Sequence, residues 1–173
     1  MAHILESRDH LDRPLRRYNI DGVVGNNSRA QNLRTDVLLV QALFKIFYEE
    51  HQGRSTWLSR PFEPPALATQ RGIAVDGYHG PVTQSLIDSF LDQLIKYEGE
   101  AILNDRGLDP MSQRSGGLVI HGKRVYNVAM VHLNNYWSDP GPETPQPSKL
   151  ENRQDLPMEL RAALVTVKRV RSA

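Results

Sequence analysis

Chemistry on a protein needs nucleophiles, bases, metal ligands or phosphate cradles at workable spacing. The chain of 173 residues offers few of them. Its six histidines are His3, His10, His51, His79, His121 and His132, and no two stand at HExxH spacing. His121 and His132 with Asp109 have the residue types of a His/His/carboxylate metal site, but separate polar side chains are the simpler reading. Ser115 precedes Gly116 and Gly117 without the G-x-S-x-G elbow that exposes a nucleophile. GLVIHGKR at 117–124 has the glycine and lysine spacing of a phosphate loop. It puts Arg124 where a metal-binding hydroxyl belongs, and its apolar interior reads as a strand leading into a hairpin turn. No G-x-G-x-x-G occurs, and the absence of cysteine excludes disulfides and thiolate metal sites. The expectation is therefore no catalytic residue, no metal, no cofactor, and a protein that is not an enzyme.

Binding chemistry remains. IAVDGYHGP, residues 73–81, reads as a tight turn. The Asp76 carboxylate can accept from the backbone two residues on, and Gly77 supplies a positive φ. Tyr78 and His79, with Gln84 in the first turn of the next helix, set a ring beside hydrogen-bonding side chains. That mixture suits sugar or peptide recognition. Trp57 and Tyr48 are placed to extend the wall, while Trp137 is expected to pack. The candidate ligand-binding residues are Asp76, Tyr78, His79, Gln84 and Trp57. The plainer role for Asp76 is to hold the turn.

The elements that must position these residues are mostly helical. Residues 35–51 read as a helix, with Thr35 as N-cap, Asp36 at the positive end of the helix dipole and Gly53 as the stop. Val37, Val40, Phe44 and Phe47 form its core-facing stripe. Pro61, Pro64 and Pro65 break residues 54–72, apart from a short helix at 65–71. A second long helix runs over 81–98, with Val82, Leu86, Phe90 and Leu94 repeating every four residues, and Gly99 ends it. The two long helices are expected to pack face to face. Residues 118–120 and 125–128 suggest a short β-hairpin. A helix from Asn127 follows, with Val128, Val131, His132 and Asn135 on one face. Four prolines within 138–149 make a semi-rigid linker. Asp155 then caps a last helix with Leu160, Leu164 and Val167 as its stripe.

The expected fold class is mainly α: a three-helix module with a short hairpin and a C-terminal helix. The expected division is an N-terminal extension at 1–22, a domain at 23–137, a linker at 138–149 and a helical arm at 150–173. The formal charge of +1 gives no electrostatic case for nucleic acid. Residues 36–100 carry five basic against nine acidic side chains, a poor field for phosphate. The N-terminal stretch lacks the apolar run of a secretory signal, and no segment has the length of apolar residues that a membrane span needs. The expectation is cytoplasmic synthesis without a classical signal peptide; delivery to the periplasm or wall would then fall to a phage or secretion apparatus.

Two segments together resemble the peptidoglycan-binding domain family. In the first, residues 23–44, the matching positions are Val24, Gly25, Asn32, Asp36, Val37, Val40, Gln41 and Leu43. In the second, residues 73–90, they are Val75, Asp76, Gly77, Gly80, Thr83, Ile87 and Phe90. The resemblance extends over roughly residues 23–103. It departs from the family at Leu91, where a glutamine is usual, and in the longer connection between Phe44 and Val75. It implies a three-helix fold that binds cell-wall muropeptide without cleaving it. The rival expectation is a protein–protein adaptor or structural part of a phage tail or contractile secretion apparatus that keeps the fold without wall binding.

Overall fold

The structure is a computed structural model that describes residues 1–8, 14–112, 118–121, 124–139 and 148–170. In chain order the elements are β1 (His3–Arg8), β2 (Pro14–Asn19), β3 (Val24–Gly25), α1 (Arg34–Lys45), α2 (Ala66–Arg71), α3 (Pro81–Glu98), β4 (Gly107–Leu108), β5 (Leu118–His121), β6 (Arg124–Asn127), α4 (Ala129–Ser138), α5 (Met158–Ala163) and β7 (Val167–Arg169).

The run DVLLVQALF puts α1 at the centre. Every residue from Asp36 to Phe44 is buried, so this helix has no solvent face over that stretch. A π-helical turn, Ile46–Glu50, prolongs it, and Phe47 and Tyr48 of that turn are also buried. The N-cap is Leu33 rather than Thr35. The Thr35 hydroxyl instead accepts from the Ala2 amide at 3.3 Å. The chain reverses after α1 at Gly53, where φ is +67° and an added Cβ would fall on the Phe62 carbonyl. Phe62 thereby enters the core. Phe44, Phe47, Phe62, Phe90 and Tyr136 form one aromatic cluster; Phe44 and Phe90 join α1 to α3 edge to face at 5.5 Å between ring centroids. The long connection is thus a source of core.

α3 occupies 81–98 as expected. Pro81 sits at its start and Gly99 at its end in the left-handed conformation, with φ +66°. The strands β5 and β6 pair antiparallel, with Leu118 opposite Asn127 and His121 opposite Arg124. The turn residues 122–123 lie outside the described residues. α4 buries Met130, Leu133, Asn134, Tyr136 and Trp137; of the four residues expected to share a face, Val128 is buried and Val131 packs half-buried against the core. Trp137 packs on Tyr18, 5.4 Å between centroids.

Among the described residues 41% are helical and 18% lie in strands, so the fold is mixed α/β, which corrects the mainly α expectation. The difference lies at the two ends of the chain. β1 pairs antiparallel with β2 and parallel with β7, in the order β2-β1-β7. The N-terminal strands β1 and β2 and the C-terminal strand β7 therefore meet in one sheet. Ile4, Ile20, Leu156, Leu160 and Leu164 share the core cluster with α1 and α3. The last helix is short because β-branched Val165, Thr166 and Val167 follow Leu164, and that run favours extended backbone. Of the expected linker, residues 140–147 lie outside the described residues. Before them, the Asp139 carbonyl accepts from Ser55 Oγ at 2.8 Å and from the Thr56 amide at 3.2 Å.

Candidate functional site

The turn at 73–81 is built around one side chain that sequence reasoning did not single out as a site residue. Gln41 lies mid-way along α1 and is 2% exposed. Its Oε1 accepts from the amides of Asp76 (3.0 Å) and Gly77 (2.9 Å). Its Nε2 faces Asp76 Oδ1 (3.0 Å), the Tyr78 carbonyl (3.0 Å) and Thr83 Oγ1 (3.1 Å). One buried amide thus satisfies both sides of the turn and ties it to the first turn of α3. The legible signal was the lone polar residue within VLLVQALF.

Asp76 does what the turn requires. Its Oδ1 accepts from the Tyr78 amide, two residues on, at 2.9 Å. That bond, with the Gln41 amide, holds the carboxyl below the usual carboxylate range. Gly77 has φ +77°, and an added Cβ would stand 2.9 Å from Arg34 Cγ. Arg34 braces the turn from outside. Its Nη1 donates to the Asp76 carbonyl at 2.8 Å, its Nε donates to Glu159 of α5 at 3.0 Å, and its guanidinium lies 5.3 Å from the centre of the Tyr78 ring.

Beside this turn is a cavity of about 260 Å³, bounded by Gln41, Arg71–Ala74, Asp76, Tyr78, Gly80, the start of α3 from Pro81 to Thr83, and Leu86. Tyr78 is 73% exposed on its rim. Of the five candidate ligand-binding residues, Asp76 and Tyr78 line the cavity; His79, Gln84 and Trp57 do not. Gln84 is buried and engaged: it meets His79 Nε2 at 2.9 Å and donates to Asp88 at 2.6 Å and to the Arg106 carbonyl at 3.2 Å. Trp57, 61% exposed, sits in the loop held by Asp139. Tyr48 is buried against Phe44 and Phe47. Arg71 is a wall residue that the sequence reading passed over.

The considered metal set is not assembled around its described members. Asp109 is paired with Arg29 at 2.8 Å, and His132 lies 3.6 Å from Glu100. Burial holds the His132 imidazole below its ordinary pKa. The His121 side chain lies outside the description. Among the described residues no group of three or more His, Cys, Asp or Glu is placed to hold a metal ion. No helix among them is long and apolar enough to cross a membrane.

Comparison of the chain with protein-family models, with curated proteins and with solved structures finds no match in any of the three.

Proposed function

We propose that this chain is a non-catalytic peptidoglycan-binding module that takes a muropeptide segment into the cavity beside the turn. The observation that carries this reading is the cavity itself: a preformed recess whose turn is locked from inside by Gln41, with an exposed tyrosine on its rim. A ring next to backbone and amide hydrogen-bonding groups suits a peptide attached to sugar. The volume is a little below the roughly 300–1,000 Å³ of ordinary small-molecule sites, so it fits a short stretch of peptide rather than a whole disaccharide. The resemblance of residues 23–44 and 73–90 to the peptidoglycan-binding domain family points the same way, because Gln41, Asp76, Gly77 and Thr83 are among the positions that carry it. Sedimentation with purified sacculi tests the reading: the wild-type chain binds, and Tyr78→Ala binds more weakly at unchanged fold stability.

The second reading is an adaptor or structural component of a phage tail or contractile secretion apparatus. It is favoured by the three-stranded sheet, whose outer strand β7 pairs on one side only among the described residues. A chain that stays in solution with sacculi would favour it over wall binding.

A further inference from the structure

The cavity beside the turn carries two charges of opposite sign that do not meet. Of the residues that line it, Arg71 and Asp76 are the charged ones. Arg71 ends α2 and is exposed. It has no acid partner, hydrogen bond or ring contact among the described residues. Asp76 commits one oxygen, Oδ1, to the Tyr78 amide and to Gln41 Nε2. Its second oxygen, Oδ2, accepts no hydrogen bond among the described residues. No ion pair of 4.0 Å or less joins it to Arg71. Elsewhere the molecule closes such gaps: Arg29 pairs with Asp109, Arg34 with Glu159 and Arg153 with Glu50.

The rest of the lining includes an apolar wall. Ile73 and Leu86 are buried, and Val82 packs half-buried on the core. A ligand with one charge would match one of the two wall charges and face the other with like sign. A group that bears both charges on an aliphatic stem matches the cation, the anion and the apolar wall together. The small volume, about 260 Å³, suits one residue of that kind rather than a run of them. We propose that the cavity is a site for a dipolar amino-acid group, an ammonium and a carboxylate on one carbon, with its carboxylate on Arg71 and its ammonium on Asp76 Oδ2. The proposal rests on the peptide-binding reading given above and names the part of the muropeptide that enters: an unblocked amino-acid end of its peptide.

The probe is Nε-acetyl-lysine, which has that dipolar end, an aliphatic stem, and an amide where a peptide would continue. Two blocked forms are the controls: the Nα-acetyl derivative lacks the ammonium, and the α-amide lacks the carboxylate. The full chain, labelled with nitrogen-15, is titrated with each. At millimolar concentration the free form is expected to shift the Gly72, Ile73 and Val82 amide signals. Each blocked form is expected to bind about tenfold more weakly. Arg71→Gln is expected to weaken the free form about tenfold and to leave the α-amide unaffected, because the contact it removes is already missing there. Asp76→Asn keeps Oδ1 as an acceptor for the turn; it is expected to weaken the free form and to leave the Nα-acetyl derivative unaffected. Both variants are first checked for unchanged core amide signals, and if Asp76→Asn fails that check, Arg71→Gln decides. The proposal is overturned if the free form leaves the cavity amides unmoved, if a blocked form binds as well, or if Arg71→Gln binds the free form like the wild type. Sacculi separate this site from the wider reading. A chain that sediments with sacculi but ignores the free form overturns the dipolar site alone. A chain that binds the free form but stays in solution with sacculi keeps the site, with a free amino acid as its occupant, and overturns wall binding.

Discussion

At the scale of the residue, the account turns on Gln41. Replacing it by leucine keeps the bulk but leaves the buried amide of Gly77 without its acceptor and Thr83 without its donor. The expected cost is about 2–3 kcal/mol, read by chemical denaturation; a variant as stable as the wild type would remove Gln41 from its central role. Asp76 supplies a second check. The Tyr78 amide and Gln41 stabilise its ionised form, so its folded pKa lies below 3.8. The stabilisation is present above the unfolded carboxylate range and is lost as pH falls through the folded value. A carboxyl-carbon titration by nuclear magnetic resonance is expected to place the Asp76 midpoint below 3.8, and a midpoint above it would mean that the turn bonds do not form in solution. The turn chemistry of Asp76 and Gly77 was legible because it is local. Gln84 was not: its partners Asp88 and the Arg106 carbonyl make it a structural link rather than an open hand.

At the scale of the element, α1 and α3 were legible from their apolar spacing, and their contact runs through Phe44 and Phe90. Val40 and Phe90 are both fully buried. Val40→Asp or Phe90→Asp would place an unpaired carboxylate in the core, and each is expected to cost several kcal/mol, on the order of 3 or more. Melting either variant checks this; a midpoint equal to the parent's would contradict the packing. The hairpin strands β5 and β6 were legible from two short apolar runs. The sheet β2-β1-β7 was not. HILESR and PLRRYN carry too many charges to read as strands, and the pairing of HILESR with VKR joins residues across almost the whole chain. The C-terminal segment misleads for the opposite reason. Leu160 and Leu164 keep helical spacing while the β-branched residues that follow obey the sheet.

At the scale of the whole molecule, the ends of the chain close over the central helix, and burial there sets the response to acid. His3, His51 and His132 are all pushed below the ordinary histidine value by burial. The unfolded chain takes up protons as pH falls through 6.5, and the folded chain resists them. Stability is therefore expected to decline from pH 6.5 downward at constant ionic strength, as followed by the thermal midpoint; a midpoint that rises over that window would contradict the burial of these imidazoles. The central claim is that the same closed molecule offers one preformed recess to the cell wall. Purified sacculi, sedimented with the full chain and with Tyr78→Ala, test it most directly. The account predicts that the wild type sediments with the sacculi and releases no soluble muropeptide. It predicts that Tyr78→Ala sediments less, with stability changed by less than about 0.5 kcal/mol. A wild-type chain that stays in the supernatant, or one that sheds soluble muropeptides, would contradict it.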